Sequence, residues 1–258
     1  MRSALRIWTA FILLLLYAPL LVMAAFSFNE SKYATSFTGF TLDWYRRVVA
    51  DSELVGILWN TLTIALGSMV LATVLGTMAA LGLRRRFRGR RLFSGLVATP
   101  VMVPDIVLGI SLLVFFRALS VPISLGTALV AHTTFNMAYV AIVVSARLEG
   151  MDPLLELAAY DLGASPWQAF WKVTFPLIAP AVFSGALLAF TLSFDDFVIT
   201  YFTTGPGDST LPMKIFSMVR HSISPKINAL STLILVVSVF LIAASRRMAR
   251  LPVSEGSR

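Results

Sequence analysis

The sequence contains no cysteine. Disulfides, thiolate metal sites and cysteine nucleophiles are therefore excluded, and nothing follows about redox compartment. Histidine is almost as scarce: His132 and His221 are the only two, and no His/Asp/Glu cluster has ligand spacing. No metal site is expected. Charged residues make up 13% of the chain, and no Lys or Arg lies well inside a long apolar run. The pattern G-x-x-x-x-G-K-[ST] is also missing, so the chain has no P-loop with which to bind ATP.

What is present is apolar length. Hydrophobic residues make up 57% of the 258 residues, and the mean hydropathy is +0.82. A bilayer crossing needs about 20 mostly apolar residues. Candidate spans fall at about 7–28, 57–83, 93–116, 121–146, 177–202 and 229–245. A soluble fold cannot hide that much continuous apolar surface, so the expected class is an all-α membrane protein with six transmembrane helices. No separate soluble domain is expected. One domain over 1–258 is anticipated, with its core at about 57–245 and a loop at 147–176.

The net charge of +8 does not form a nucleic-acid patch, because the bases sit at the ends of apolar runs. With six spans, fourteen Lys and Arg fall on the side holding both termini and seven on the other. The strongest contribution is Arg84 to Arg91, which packs six arginines into one short loop. The positive-inside rule then places both termini in the cytoplasm. The first span starts with Arg2 and Arg6 and carries "VMAA" near its end, but its apolar stretch exceeds a signal core of about 7–15 residues. It is read as a retained span.

The loop before the fifth span reads "ELAAYDLGASPWQAFWKVTFPLIAP", Glu156 to Pro180. Asp152-Pro153 is a helix start, and Gly163 suits a left-handed helix stop. Ser165-Pro166 repeats the start, and a second helix is expected with Trp167, Phe170, Trp171 and Thr174 along one side. Pro176 and Pro180 mark the approach to the fifth span. Ala158-Ala159 leaves a bare patch that a neighbouring surface can approach closely. The residues alone admit two readings: an amphipathic loop resting on lipid headgroups, or a docking surface for a cytoplasmic partner.

This segment resembles the EAA loop of ABC importer permeases: Glu-Ala-Ala, three residues, Gly, nine residues, Ile, one residue, Leu-Pro. Ala158, Ala159, Gly163 and Pro176 fall on that spacing. Val173 stands at the usual Ile, Phe175 at the usual Leu, and Leu157 at the usual Glu, with Glu156 one residue earlier. "PVMVPDIVLGISLL", "AHTTFNMAYVAIVVSARL" and the text from Leu187 to Ser238 look like the spermidine/putrescine permease branch. The resemblance implies the type I importer permease fold and a bacterial cytoplasmic (inner) membrane. It also implies a coupling role for Glu156, Ala158, Ala159, Gly163 and Pro176. The partners it implies are a second permease, expected to be a different chain, two P-loop ATPase subunits and an extracytoplasmic solute-binding protein. ATP and Mg would sit on the ATPases. The chain itself would bind no cofactor and carry no catalytic residue.

Three acids lie within apolar runs: Asp105, Asp195 and Asp196. A carboxylate at mid-bilayer costs roughly 2.5–3.5 kcal/mol on insertion scales, so such residues usually face a cavity or a partner. Pro100 and Pro104 suit a broken helix lining a cavity. Asp195 and Asp196 would differ by about 100° on a continuous helix, so one could line a path while the other bonds a neighbour. An acidic path without bases favours cations, and Phe194, Phe197, Tyr201 and Phe202 could hold ammonium groups. Each acid could equally be structural, and the aromatics plain packing. His132 and Asn136 share a face of the fourth span, which suits interhelical hydrogen bonding better than a proton relay. The outer loop Thr203–Pro212 is either a connector or a contact for an external protein. Two competing functions are an ion-coupled secondary transporter using these acids and an intramembrane enzyme. The loop spacing argues against the first, and no protease-like setting supports the second.

Overall fold

The computed structural model describes residues 2–31, 36–221 and 224–249. Lys32, Arg250 and Arg258, counted above among the bases, lie outside them, as does the side chain of His221. The described residues are helical apart from connections and one isolated β-bridge between Asn29 and Phe40. In chain order the first helices are α1 (Arg2–Phe26), α2 (Asp43–Val49), α3 (Ser52–Arg84), α4 (Arg90–Met102), α5 (Asp105–Ala118) and α6 (Leu125–Glu149). Then come α7 (Leu154–Asp161), α8 (Pro166–Ala169), a π-helical turn (Phe170–Thr174), α9 (Phe175–Asp195), α10 (Val198–Thr203), α11 (Leu211–His221) and α12 (Pro225–Ala249).

Four of these stretches are long and apolar enough to cross a membrane: Leu5–Phe26, Ser52–Arg84, Leu125–Glu149 and Pro166–Asp195. They match the first, second, fourth and fifth expected spans. The third differs, because α4 and α5 meet at 113°. Proline is the cause: Pro104 forces the residue before it out of the helical region. Val103 accordingly sits at φ −86°, ψ 133°. The fifth span is also interrupted. The α9 helix stops at Asp195, and Asp196 is extended at φ −70°, ψ 128°. Asp195 and Asp196 therefore do not share the continuous helix expected of 177–202. The sixth expected span, 229–245, lies within α12 (Pro225–Ala249).

The chain divides into two compact units, Met1–Val55 with Ile215–Arg258, and Gly56–Lys214. In the first, α12 packs against α1 and α2. Trp44 Nε1 donates to the Asn29 carbonyl at 2.8 Å, and Tyr45 and Ser27 share a hydroxyl pair. Lys226 Nζ donates to Asp51 Oδ2 at 2.6 Å.

In the second unit α6 is the central element. Ala128, Ala131, Ala138, Val140, Ala141 and Val144 along it are all but fully buried. Small residues let neighbouring backbones approach, which is how helices pack when lipid supplies no hydrophobic drive. Val140 sits between Gly76 of α3 and Gly185 of α9. A Cβ added at Gly76 would lie 2.7 Å from both the Met137 carbonyl oxygen and Val140 Cβ. Gly76→Ala is expected to destabilise the chain by about 1–3 kcal/mol through overpacking. Gly82→Ala in the same helix meets nothing within 4 Å. It should be neutral or stabilising by about 0.5–1 kcal/mol. Thermal unfolding in detergent checks the contrast.

Candidate functional site

The loop between α6 and α9 is built by its own sequence. Asp152 Oδ1 accepts from the Leu154 N–H at 2.9 Å and caps the start of α7. At the other end Gly163 has φ +83°. Its N–H reaches the Tyr160 carbonyl at 2.9 Å, and the Ala164 N–H reaches that of Ala159 at 3.0 Å. This is the paired bonding of a Schellman stop. Ser165 and Gln168 then form a capping box, with Ser165 N–H to Gln168 Oε1 at 2.9 Å and Gln168 N–H to Ser165 Oγ at 3.3 Å.

The second loop helix does not end before the fifth span, because Pro166 to Asp195 runs on as one helical stretch. The π turn at Phe170–Thr174 makes this feasible. Pro176 has no N–H to give the preceding turn, and a wider turn absorbs the mismatch. Trp167, Phe170, Trp171 and Phe175 pack on one another along this segment, with ring centroids 4.9–6.5 Å apart. Of the expected stripe, Thr174 is buried instead of lying with the exposed tryptophans.

α7 buries none of its residues. Leu154, Leu157 and Leu162 are 65%, 54% and 90% exposed. An isolated helix of eight residues is marginal in water, so this one needs both its caps and a tether. Glu156 supplies the tether: Arg84 Nη1 donates to its Oε1 at 2.5 Å, and the Thr174 hydroxyl donates to the same oxygen. Glu156 thus bonds inward to the end of α3 and the π turn, while Ala158, Leu157 and Gly163 stay exposed and Ala159 is half-buried. Pro176, second residue of α9, is exposed as well.

Burial acts to raise the Glu156 pKa, but the hydrogen bonds from Arg84 and Thr174 and the Arg84 charge outweigh it and hold the carboxyl below its ordinary 4.5. The folded value is the lower one. The stabilisation is therefore complete above 4.5 and lost only as pH falls through the depressed value. Hydrogen exchange of α7 amides, corrected for intrinsic rates, should not change between mildly acidic and neutral pH. In Glu156→Gln it should rise about tenfold, the scale of one charged hydrogen bond.

The three intramembrane acids stand at the two helix breaks. Asp105 opens α5 just after the 113° bend, and Asp195 closes α9. Both are exposed, with no hydrogen-bond or ion-pair partner among the described residues. The breaks belong to packed neighbours: Gly109, one turn past Asp105, lies against Ile199 and Phe202 of α10. Tyr201 is 58% exposed and stacks near Phe197 and Phe202, with centroids 5.6 and 5.5 Å away. Phe194 is half-buried on Phe190 at 5.7 Å.

Asp196 is different. Its side chain is 9% exposed. Its Oδ2 accepts from the Thr200 N–H at 2.7 Å and the Thr200 hydroxyl at 2.8 Å, and its Oδ1 from the Ile199 N–H at 3.3 Å. His132 Nε2 lies 3.4 Å from Asp196 Oδ2 and 2.9 Å from Thr200 Oγ1. His132 Nδ1 is 2.6 Å from Ser193 Oγ, which accepts from Ser68 Oγ at 3.0 Å. The interhelical bonding expected of His132 is present, whereas Asn136, buried on the same face, makes no side-chain hydrogen bond among the described residues. Its partners Ser193 and Thr200, and Ser68 behind Ser193, carry no signal in the sequence, where a lone serine or threonine in a span does not show what it faces.

The loop after α10 is anchored. Thr127 Oγ1 donates to the Thr203 carbonyl at 2.7 Å, and Asp208 Oδ2 accepts from the Leu125 N–H at 3.1 Å, at the start of α6. Only the Pro206-Gly207 tip of this segment is fully exposed. Within the chain it acts as a connector.

A family model described as binding-protein-dependent transport system inner membrane component matches residues 72–251. The putrescine transport system permease protein PotI of Escherichia coli K12 is 46% identical over 240 residues, covering 88% of this chain and 85% of that one. The spermidine/putrescine transport system permease protein PotC of the same strain is 41% identical over 236 residues, covering 91% and 89%. Among solved structures, a bacterial ABC transporter involved in import of the acidic polysaccharide alginate matches with a TM-score of 0.71 at 16% identity, covering 97% and 96%. The MetNI methionine ABC transporter matches with a TM-score of 0.63 at 21% identity, covering 78% of this chain and 98% of that one. At such identities these two establish the fold. The chain is a multi-pass membrane transport subunit, a member of the binding-protein-dependent transport system inner membrane component family.

Proposed function

We propose that this chain is one permease subunit of an ATP-driven importer of polyamines such as putrescine or spermidine, in the bacterial cytoplasmic membrane. The observation that carries the ATP-driven part is α7. It is a capped, tethered helix with no buried residue, on a loop between two apolar helices, and it is shaped to be covered by something else. In this reading six spans put both termini in the cytoplasm, with Arg84 to Arg91 on the same side as α7. Two P-loop ATPases bind ATP and Mg, and one takes the α7 surface. A second, different permease completes the path, and an extracytoplasmic binding protein delivers the cargo.

The cargo class follows from the relatives' names and from charge. Asp105 and Asp195 are exposed carboxylates at helix breaks, and no Lys or Arg lies inside the spans to neutralise them. Such a path favours a flexible organic cation over an anion. The test is uptake of radiolabelled putrescine and spermidine by cells stripped of their own polyamine uptake and given this chain with its partner subunits. Accumulation that needs ATP and is competed by unlabelled polyamine supports the reading. Accumulation driven by a proton gradient without an ATPase would replace it with a secondary transporter.

A further inference from the structure

α10 begins two residues after α9 stops, and its first turn hangs on one carboxylate. The two N–H groups and the hydroxyl that Asp196 accepts all belong to α10, so the acid is its cap. An open carboxylate here would attract any passing cation. This one is consumed by its own chain, and His132 closes it in.

The protons fix the direction of the network. Thr200 has one hydroxyl proton, and it goes to Asp196. Thr200 Oγ1 must then accept from His132, so Nε2 carries the proton. Nδ1 is bonded to Ser193 Oγ, and Ser68 Oγ lies within bonding distance of both Ser193 Oγ and the Ala65 carbonyl. The line from Ser68 to Asp196 is hydrogen-bonded at every step. The line joins α3, α9, α6 and α10, and Ser68, Ser193, His132 and Thr200 are each at most 3% exposed.

We propose that His132 is a positioning residue for transport. Through its bond to Thr200 it holds Asp196 as the internal cap of α10, and so fixes where Tyr201 stands and leaves Asp195 as the acid that meets the cargo. The cargo clause rests on the cation-import reading above, whereas the placement of α10 does not. Leucine at 132 would leave Ser193 and Asp196 facing a side chain with no polar atom, and residue 196 could turn its carboxylate outward.

The absence of native cysteine makes the test clean. Tyr201→Cys, and Thr99→Cys on exposed α4 as a control, are labelled with a small cationic thiol reagent in the intact complex, without cargo. His132→Leu should change the rate at 201 by roughly fivefold or more, the scale of one lost buried hydrogen bond, and leave 99 within about twofold. His132→Gln, which keeps a donor and an acceptor, should restore it. If His132→Leu does not assemble, Thr200→Val breaks the same link and should shift 201 in the same direction. An unchanged rate at 201, or equal changes at 201 and 99, would overturn the proposal. In a separate arm, added spermidine should protect Tyr201→Cys, and adding Asp195→Asn should abolish that protection. Failure of that arm alone removes the cation path and leaves the positioning role standing.

Discussion

Import should fail in Gly163→Pro while the chain still inserts and the ATPase subunits still turn over ATP. Gly163 sits at φ +83°, and its N–H closes the end of α7 on Tyr160. Proline fixes φ near −65° and has no N–H, so both features go at once, at a cost of about 3 kcal/mol or more. α7 spans eight residues and has no buried side chain to fall back on. Its shape is set locally, so a local lesion removes it. The transmembrane helices hold no part of this turn and should be unaffected. Gly163→Asn, which tolerates the left-handed region, should keep most activity. Uptake and ATP hydrolysis measured together in proteoliposomes give the readout. At least a tenfold fall in solute moved per ATP hydrolysed is expected for proline, the scale set by that local cost.

The second large effect separates two adjacent acids. Asp195→Asn should lower import of a polyamine roughly ten- to hundredfold, the range of a hydrogen bond to a charged group, with little change in thermal stability. Asp195 is exposed and has no described partner to lose. Asp196→Asn should do the reverse in the first instance, lowering the unfolding temperature, because it removes a charge that caps α10 and faces His132. Neighbours in sequence thus differ in role because one ends a helix and the other begins the next. Unfolding temperature and initial uptake rate, measured on both variants, check the split.

The contrast also marks how far the sequence could be read. Apolar length found the membrane helices, because burying a backbone in lipid demands helices of bilayer length whatever their neighbours do. The α7 caps were legible for a similar reason: Asp152, Gly163 and Ser165 act through bonds a few residues away. Proline gave warning of a broken helix at Pro104, though not of a 113° bend. The break after Asp195 was not legible. No proline or glycine stands there, and the extended residue is held by Thr200, itself bonded to His132 on α6. The sequence offers Glu156 as a contact for a partner because it lies one residue from the usual acidic position. Its bonds to Arg84 and Thr174 depend on how α3 and the π turn pack, which spacing does not encode.

If α7 is the seat of an ATPase, a single purification will show it. The tagged chain is drawn from its native membrane in mild detergent, as wild type and as Ala159→Trp. Ala159 is half-buried among the exposed residues of α7, where an indole would stand off any close-fitting surface. A P-loop ATPase should come with the wild type and be lost from the variant, with both chains recovered in equal amount. Wild-type chain that transports polyamine yet brings no ATPase would contradict it.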